Sequence, residues 1–128
     1  MNLFVCFRSI DDFEGIKVIN ILKNKSQNEL VILEEIDRNP KWKKNVFDKF
    51  SIADFVVFLL GNHTFESKHI NWEFEKAVAL NKHIIGIKLN GASEESLLRL
   101  KKYKVFENVE ESLEYIVSVS RSYTKIPV

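Results

Sequence analysis

The chain has 128 residues, of which 45% are hydrophobic and 29% charged, which is the composition of one globular domain with a core of its own. The 19 Lys and Arg residues nearly balance the 18 Asp and Glu residues, so charge gives no reason to expect a nucleic acid or an anionic membrane as partner. A single cysteine, Cys6, excludes an internal disulfide, and neither a secretory signal nor an apolar run of about 20 residues is present. We therefore expect a cytoplasmic protein without nucleic-acid or membrane partners.

Short β-rich runs alternate with helix-like segments, which is typical of a parallel sheet wrapped by helices. The predicted strands are residues 3–7, 29–36, 54–60, 83–89 and 103–106. The third run, DFVVFLL, lacks polar alternation. We expect it at the centre of the sheet, because strands covered on both faces lose their alternation.

Helical spacing of apolar residues follows each strand. The first helix begins at 11–12, and the apolar positions that give its helical spacing are Phe13, Ile16, Ile19 and Leu22. The other predicted helices are an aromatic, Lys-rich segment between residues 40 and 50 and residues 67–80, 93–101 and 108–120. Because each helical crossover is right-handed, this order predicts one flavodoxin-like, doubly wound α/β domain with a five-stranded parallel sheet, order 2-1-3-4-5. Residues 1–120 form this domain, and 121–128 are predicted to be a C-terminal tail.

A ligand crevice is expected beyond the carboxyl ends of strands one and three, where the strand order reverses. Residues placed there by the first two strands are Phe7, Arg8, Ser9, Asp37 and Arg38. No GxGxxG, no P-loop and no receiver-type aspartate occurs at these ends, and the three histidines lack a zinc spacing. We therefore expect no metal and no bound cofactor.

The predicted helix 67–80 carries a candidate functional carboxylate, Glu73. The predicted sheet-facing stripe of this helix comprises Ile70, Phe74, Ala77 and Val78. Glu73 lies on the flank of this stripe together with His69, so the sequence predicts a partly desolvated carboxylate at the crevice edge. Spacing alone also allows Glu73 to cap the helix or to pair with Lys76.

Trp72 projects almost opposite the apolar stripe of the same helix. A monomer rarely exposes a tryptophan. Two explanations remain open: Trp72 packs beneath a loop, or it marks a contact with another subunit.

Several short motifs occur in a characteristic order around this helix. In chain order they are Gly61-x-x-Thr64, Ser67, Ile70, Glu73-Phe74, Ala77 and the strand Ile-Ile-Gly-Ile at 84–87. Their order and spacing resemble those of bacterial TIR-like domains, in particular the small stand-alone TIR proteins of Thoeris antiphage systems. The run LFVCFRSID at 3–11 is similar to the first strand of that family, and the resemblance covers about the first 90 residues. His69 stands where the family has Trp, and Cys6 where it has Ser.

The resemblance implies an enzyme that cleaves the bond between nicotinamide and ribose in NAD, which is its substrate rather than a cofactor. Glu73 matches the catalytic glutamate, which stabilises the oxocarbenium ion that develops on the ribose. Phe7 and His69 would hold the bases. The sequence is equally consistent with Phe7 as the last core residue of the first strand and with Asp37 and Arg38 as part of an ordinary turn. The residues that would orient ribose and diphosphate are Arg8, Ser9, Asp37 and Arg38.

The resemblance also implies a role in antiphage signalling. The product would be an ADP-ribose-derived nucleotide, such as a cyclic ADP-ribose isomer or a conjugate, that activates a partner effector. TIR–TIR self-association or an infection trigger would be needed for activity. Two alternatives remain open: a non-catalytic TIR interaction module in which Trp72 carries the function, and an enzyme of the nucleoside deoxyribosyltransferase type.

Overall fold

The computed structural model describes residues 1–8, 12–25, 31–33 and 40–124. The strands are β1 (Asn2–Cys6), β2 (Val31–Leu33), β3 (Phe55–Leu60), β4 (His83–Lys88) and β5 (Lys104–Phe106). The helices are α1 (Asp12–Lys25), α2 (Trp42–Ile52), α3 (Lys68–Ala79), α4 (Glu94–Arg99) and α5 (Val109–Thr124), and a 3-10 turn (Thr64–Glu66) precedes α3. The strands pair in parallel in the order β2-β1-β3-β4-β5. The predicted α/β fold with a parallel sheet and helices is confirmed.

The sheet separates two apolar layers, because successive side chains of each strand point to opposite faces. One layer is covered by α1 and α5 and contains Leu3 and Val57. The other is covered by α2, α3 and α4 and contains Phe4 and Phe58. β3 is buried along its whole length, as its uninterrupted apolar sequence predicts. None of the described helices combines the length and the apolarity that a bilayer crossing requires.

Two of the four apolar positions that give α1 its helical spacing do not face the core. Phe13 is 77% exposed and Ile16 is 50% exposed. The residues of α1 that are buried are Gly15, Val18, Ile19 and Leu22. A glycine carries no hydrophobic signal, yet here it supplies the space that the ring of Phe7 fills: a Cβ at position 15 would lie 2.8 Å from Cδ2 of that ring. The helix is therefore rotated so that its smallest residue meets the aromatic ring.

Two element boundaries also differ from expectation. Helix α5 continues to Thr124, into the segment that the sequence assigns to a tail. The reason is local, because no Gly or Pro interrupts the chain between residue 109 and Pro127. The described part of β2 is Val31–Leu33, and the rest of the longer predicted strand, like residues 125–128, lies outside the described residues.

The close fit of Phe7 over Gly15 predicts the effect of adding one methyl group. We expect Gly15→Ala to lower the free energy of unfolding by about 1 kcal/mol, because overpacking costs roughly 1–3 kcal/mol and exceeds the gain of about 1 kcal/mol in helix propensity. Asn20→Ala, at an exposed position of the same helix, is the matched control and should be neutral or slightly stabilising. Urea unfolding measures both. A stabilised Gly15→Ala variant would show that the ring does not constrain α1.

Candidate functional site

The turn after β3 is closed by a buried hydroxyl. Thr64 is fully buried, and its Oγ1 accepts a hydrogen bond of 2.7 Å from the N–H of Gly61 and donates one of 3.3 Å to the carbonyl of Leu59. From α4, Oγ of Ser96 donates to the carbonyl of Gly61 at 3.0 Å. The Gly-x-x-Thr motif therefore shapes the chain where β3 ends and α3 begins.

The first turn of α3 is held by two polar side chains. Oγ of Ser67, the N-cap residue, accepts a hydrogen bond of 3.4 Å from the N–H of Ile70. The side-chain amide of Asn71 donates to the carbonyls of Phe65 and Ser67 at 2.6 and 2.9 Å. Carbonyls before the helix are thus tied to its second turn, which fixes the direction in which α3 leaves the sheet edge.

Arg99, in α4, connects that helix to the first residues of α3. Its Nη1 donates to Oδ1 of Asn71 at 2.7 Å. Its guanidinium carbon lies 4.6 Å from the ring centroid of Phe65 and 5.2 Å from that of Phe74, within the range of cation–π attraction. Helix α3 is therefore fixed from the α4 side as well as by its own cap.

Glu73 lies at the centre of the buried face of α3. The sequence predicts it on the flank, but it is 2% exposed and shares the buried face with Ile70 and Ala77. Val78, predicted on the sheet-facing stripe, is 45% exposed. The carboxylate thus occupies a position that helical spacing reserves for an apolar side chain. Because burying a carboxylate is costly, such a residue is a candidate for function.

An aromatic cluster of Trp42, His69 and Trp72 connects α3 with the start of α2. The ring centroid of Trp42 lies 4.4 Å from that of His69 and 5.1 Å from that of Trp72. Nζ of Lys43 lies 5.7 Å from the centroid of each tryptophan ring. Trp72 is therefore half-buried within the chain, and the predicted contact with a second subunit stays a prediction. His69 and Trp72 precede Glu73 by four and one residues on the same helix, and His69 therefore lies about one helical turn before the buried carboxylate.

Arg8 joins the end of β1 to the turn after β3. Its Nη1 donates to Oε2 of Glu66 and to the carbonyl of His63, both at 3.0 Å. Nδ1 of His63 lies 2.8 Å from the same Oε2 atom of Glu66, and Nε2 of that ring lies 3.2 Å from Nδ2 of Asn62. The predicted crevice between strands one and three is therefore bridged by a polar network at its rim.

Comparison with models of protein families shows which family the chain belongs to. The model of a family described as "Thoeris protein ThsB, TIR-like domain" matches residues 4–94, which is well over half of the chain. The chain belongs to the Thoeris ThsB TIR-like family. The matched range contains the last three residues of β1, the Gly-x-x-Thr turn and the whole of α3 with Glu73. A search of curated proteins finds no match.

Among solved structures, the TIR-like domain is similar to the CMP N-glycosidase BcmB of Clostridium botulinum. The alignment covers 91% of this chain and 98% of that chain, with a TM-score of 0.61 and 16% sequence identity. At this level of identity the similarity establishes a shared fold.

The structure brings only some of the predicted site residues together. His69, Trp72 and Glu73 share one end of α3 on the α2 side of the sheet, and Arg8 lies at the switch point. Phe7, predicted to hold a base, is instead 8% exposed in the apolar layer of α1 and α5, because β1 alternates and its last residue, Cys6, faces the other layer. Ser9, Asp37 and Arg38 lie outside the described residues.

Some residues of this region were not predicted. Sequence reasoning missed Trp42 and Glu66, and the only local signal for Trp42 is an aromatic residue at a helix start after Pro40. Among the described ranges, no group of three or more His, Cys, Asp and Glu side chains is placed to hold a metal ion.

The hydroxyl of Thr64 gives a direct test of how the turn after β3 is held. We expect Thr64→Val, which keeps the shape of the side chain, to lower the free energy of unfolding by about 1–3 kcal/mol, because the buried N–H of Gly61 loses its acceptor. Thr64→Ser keeps the hydroxyl and should retain most of the stability. Thermal and urea unfolding compare the two. Equal losses in both variants would mean that the methyl group, not the hydrogen bond, stabilises the turn.

Proposed function

We propose that this TIR-like domain cleaves the N-glycosidic bond between nicotinamide and ribose in NAD, with Glu73 as the catalytic residue. The observation that carries the proposal is the position of this carboxylate, buried on the inner face of α3 together with Ile70 and Ala77. Membership in the Thoeris ThsB TIR-like family supports it, and so does a fold shared with an N-glycosidase.

The chemistry requires one anion and little else. The C1′–N bond breaks with its electron pair going to the pyridine nitrogen, so nicotinamide leaves as a neutral molecule and needs no strong general acid. The positive charge that develops on the ribose needs a nearby carboxylate and a hydrogen-bonded ribose diol. Glu73 supplies the negative charge and accepts the hydrogen bonds of the ribose diol. Its attraction to the oxocarbenium ion is stronger than in water because the carboxylate lies in an interior from which water is excluded.

Aromatic and cationic groups hold the rest of the substrate. The ring of His69, backed by Trp42 at 4.4 Å, offers a flat surface on which a base stacks. Phe7 is left out of this surface, since it is packed beneath α1. Arg8 binds the diphosphate, as a guanidinium does with phosphate oxygens, and Ser9, Asp37 and Arg38 complete the ribose and diphosphate contacts.

The carbon left by nicotinamide is then attacked by a nucleophile. A hydroxyl or ring nitrogen of the ADP-ribose itself would give a cyclic ADP-ribose isomer, and an external acceptor would give a conjugate. Either product serves as a signalling nucleotide that activates a partner effector in antiphage defence. Self-association through TIR–TIR contacts completes the site, and the reaction takes place in the cytoplasm.

A second candidate substrate is a pyrimidine nucleotide such as CMP, and the fold shared with the C. botulinum CMP N-glycosidase favours it. The same carboxylate would stabilise the same oxocarbenium ion. Cytosine differs from nicotinamide because its ring carries no positive charge in the nucleotide, so it must gain a proton as it departs. The two substrates are therefore distinguished by whether a proton donor is required.

Replacing the carboxylate by its neutral isostere tests the proposal. We expect Glu73→Gln to reduce NAD cleavage at least about 100-fold, because the oxocarbenium ion loses its counter-charge. Glu75→Gln, an exposed residue of the same helix, is the matched control and should retain activity within about twofold. Chromatography of NAD and, in parallel, of CMP after incubation with concentrated protein measures both rates.

Three outcomes of this experiment count against the assignment. Turnover of NAD that Glu73→Gln does not alter contradicts the catalytic role. Cleavage of CMP but not of NAD would identify the pyrimidine nucleotide, not NAD, as the substrate. Turnover of neither compound, in protein shown by light scattering to be self-associated, contradicts the glycosidase proposal itself.

A further inference from the structure

The guanidinium of Arg8 at the switch point is already paired with a carboxylate of the chain. Oε2 of Glu66 lies 3.0 Å from Nη1 of Arg8 and 2.8 Å from Nδ1 of His63. The two nitrogens come from opposite sides of the crevice, one after β1 and the other after β3. They converge on a single anionic oxygen.

The hydrogen-bond network assigns the proton of the His63 ring. The side-chain nitrogen of Asn62 lies 3.2 Å from Nε2 of His63. The carboxylate oxygen of Glu66, 2.8 Å from Nδ1, only accepts hydrogen bonds, so Nδ1 carries the hydrogen that lies between the two side chains. Nδ1–H therefore donates to Glu66. Two N–H donors from a guanidinium and an imidazole directed at one oxygen form the arrangement that binds a phosphate oxygen.

Displacing this carboxylate requires little rearrangement. The side chains of Arg8 and Glu66 are 29% and 54% exposed, and an ion pair of this exposure is worth at most about fivefold in an equilibrium constant. The backbone of the 3-10 turn is held independently of it, by the hydroxyl of Thr64 and by the N–H of Ser67, which donates to the Thr64 carbonyl at 3.4 Å. Only the Glu66 side chain has to rotate into solvent.

We propose that Glu66 is an internal competitor that occupies the anion site of Arg8 and His63 until a phosphate group of the substrate displaces it. The inference rests on the proposed function, since it concerns the same substrate. Competition by Glu66 makes the site selective for phosphate-bearing nucleotides over nucleosides, because only a phosphate offers several anionic oxygens to both donors. It also means that Glu66 weakens substrate binding and takes no part in breaking the glycosidic bond.

The test is the affinity of the protein for pyrophosphate, ADP-ribose and nicotinamide riboside, measured by isothermal titration calorimetry. We expect Glu66→Gln to bind pyrophosphate and ADP-ribose about three- to fivefold more tightly than the unaltered chain, because the competing negative charge is gone. Nicotinamide riboside, which has no phosphate, should bind equally to both. Glu75→Gln removes one exposed charge of α3 and controls for net charge.

The outcomes separate this inference from the proposed function. Unchanged or weaker binding of both phosphate compounds by Glu66→Gln, or an equal gain in Glu75→Gln, overturns the inference even if Glu73→Gln abolishes NAD cleavage. A gain confined to Glu66→Gln and to the phosphate compounds supports it even if the chain cleaves no NAD. An equal gain for nicotinamide riboside also overturns it, because the effect would then not concern phosphate.

Discussion

A buried carboxylate, Glu73, constrains how helix α3 packs on the sheet. A carboxylate on the inner face of α3 takes the place of an apolar side chain between Ile70 and Ala77, and this costs stability that an aliphatic residue would not cost. The surrounding elements hold the helix in one position: the Ser67 cap, the amide of Asn71, and Arg99 reaching across from α4. Such rigid support is what electrostatic catalysis requires, because a charge stabilises a transition state best when it does not reorganise.

The apolar layers on the two faces of the sheet differ in what they contain. The layer of α1 and α5 is packed around Phe7 and Gly15 and provides stability. The layer of α2, α3 and α4 carries the carboxylate and the aromatic cluster of Trp42, His69 and Trp72. The switch point between β1 and β3 lies at the rim, where Arg8 meets the turn after β3. This is the position at which open parallel sheets bind ligands.

Much of the fold is predictable from the sequence, because strand and helix signals act locally. The uninterrupted apolar run of β3 predicts its burial on both faces, and the alternation of elements predicts a parallel sheet with helices. The sequence is a poor guide where tertiary packing determines which residues are buried. Gly15 has no hydrophobic signal, yet its missing side chain determines which face of α1 is buried. Helix α5 passes residue 120 because no stop signal precedes Pro127.

The candidate site is harder to predict, because contacts between separate elements of the chain also determine it. A periodicity argument assigns Glu73 to the flank because it ranks charged residues as solvent-facing, and only the structure shows it at the centre. The contacts of Trp42 with α3, and of Glu66 with Arg8, join residues distant in sequence or opposed across the crevice. A crystal structure of Glu73→Gln bound to NAD tests the central claim most directly. We expect C1′ of the nicotinamide ribose within about 3.5 Å of the side chain at position 73. The central claim is contradicted if that side chain stays covered and the ribose lies out of its reach.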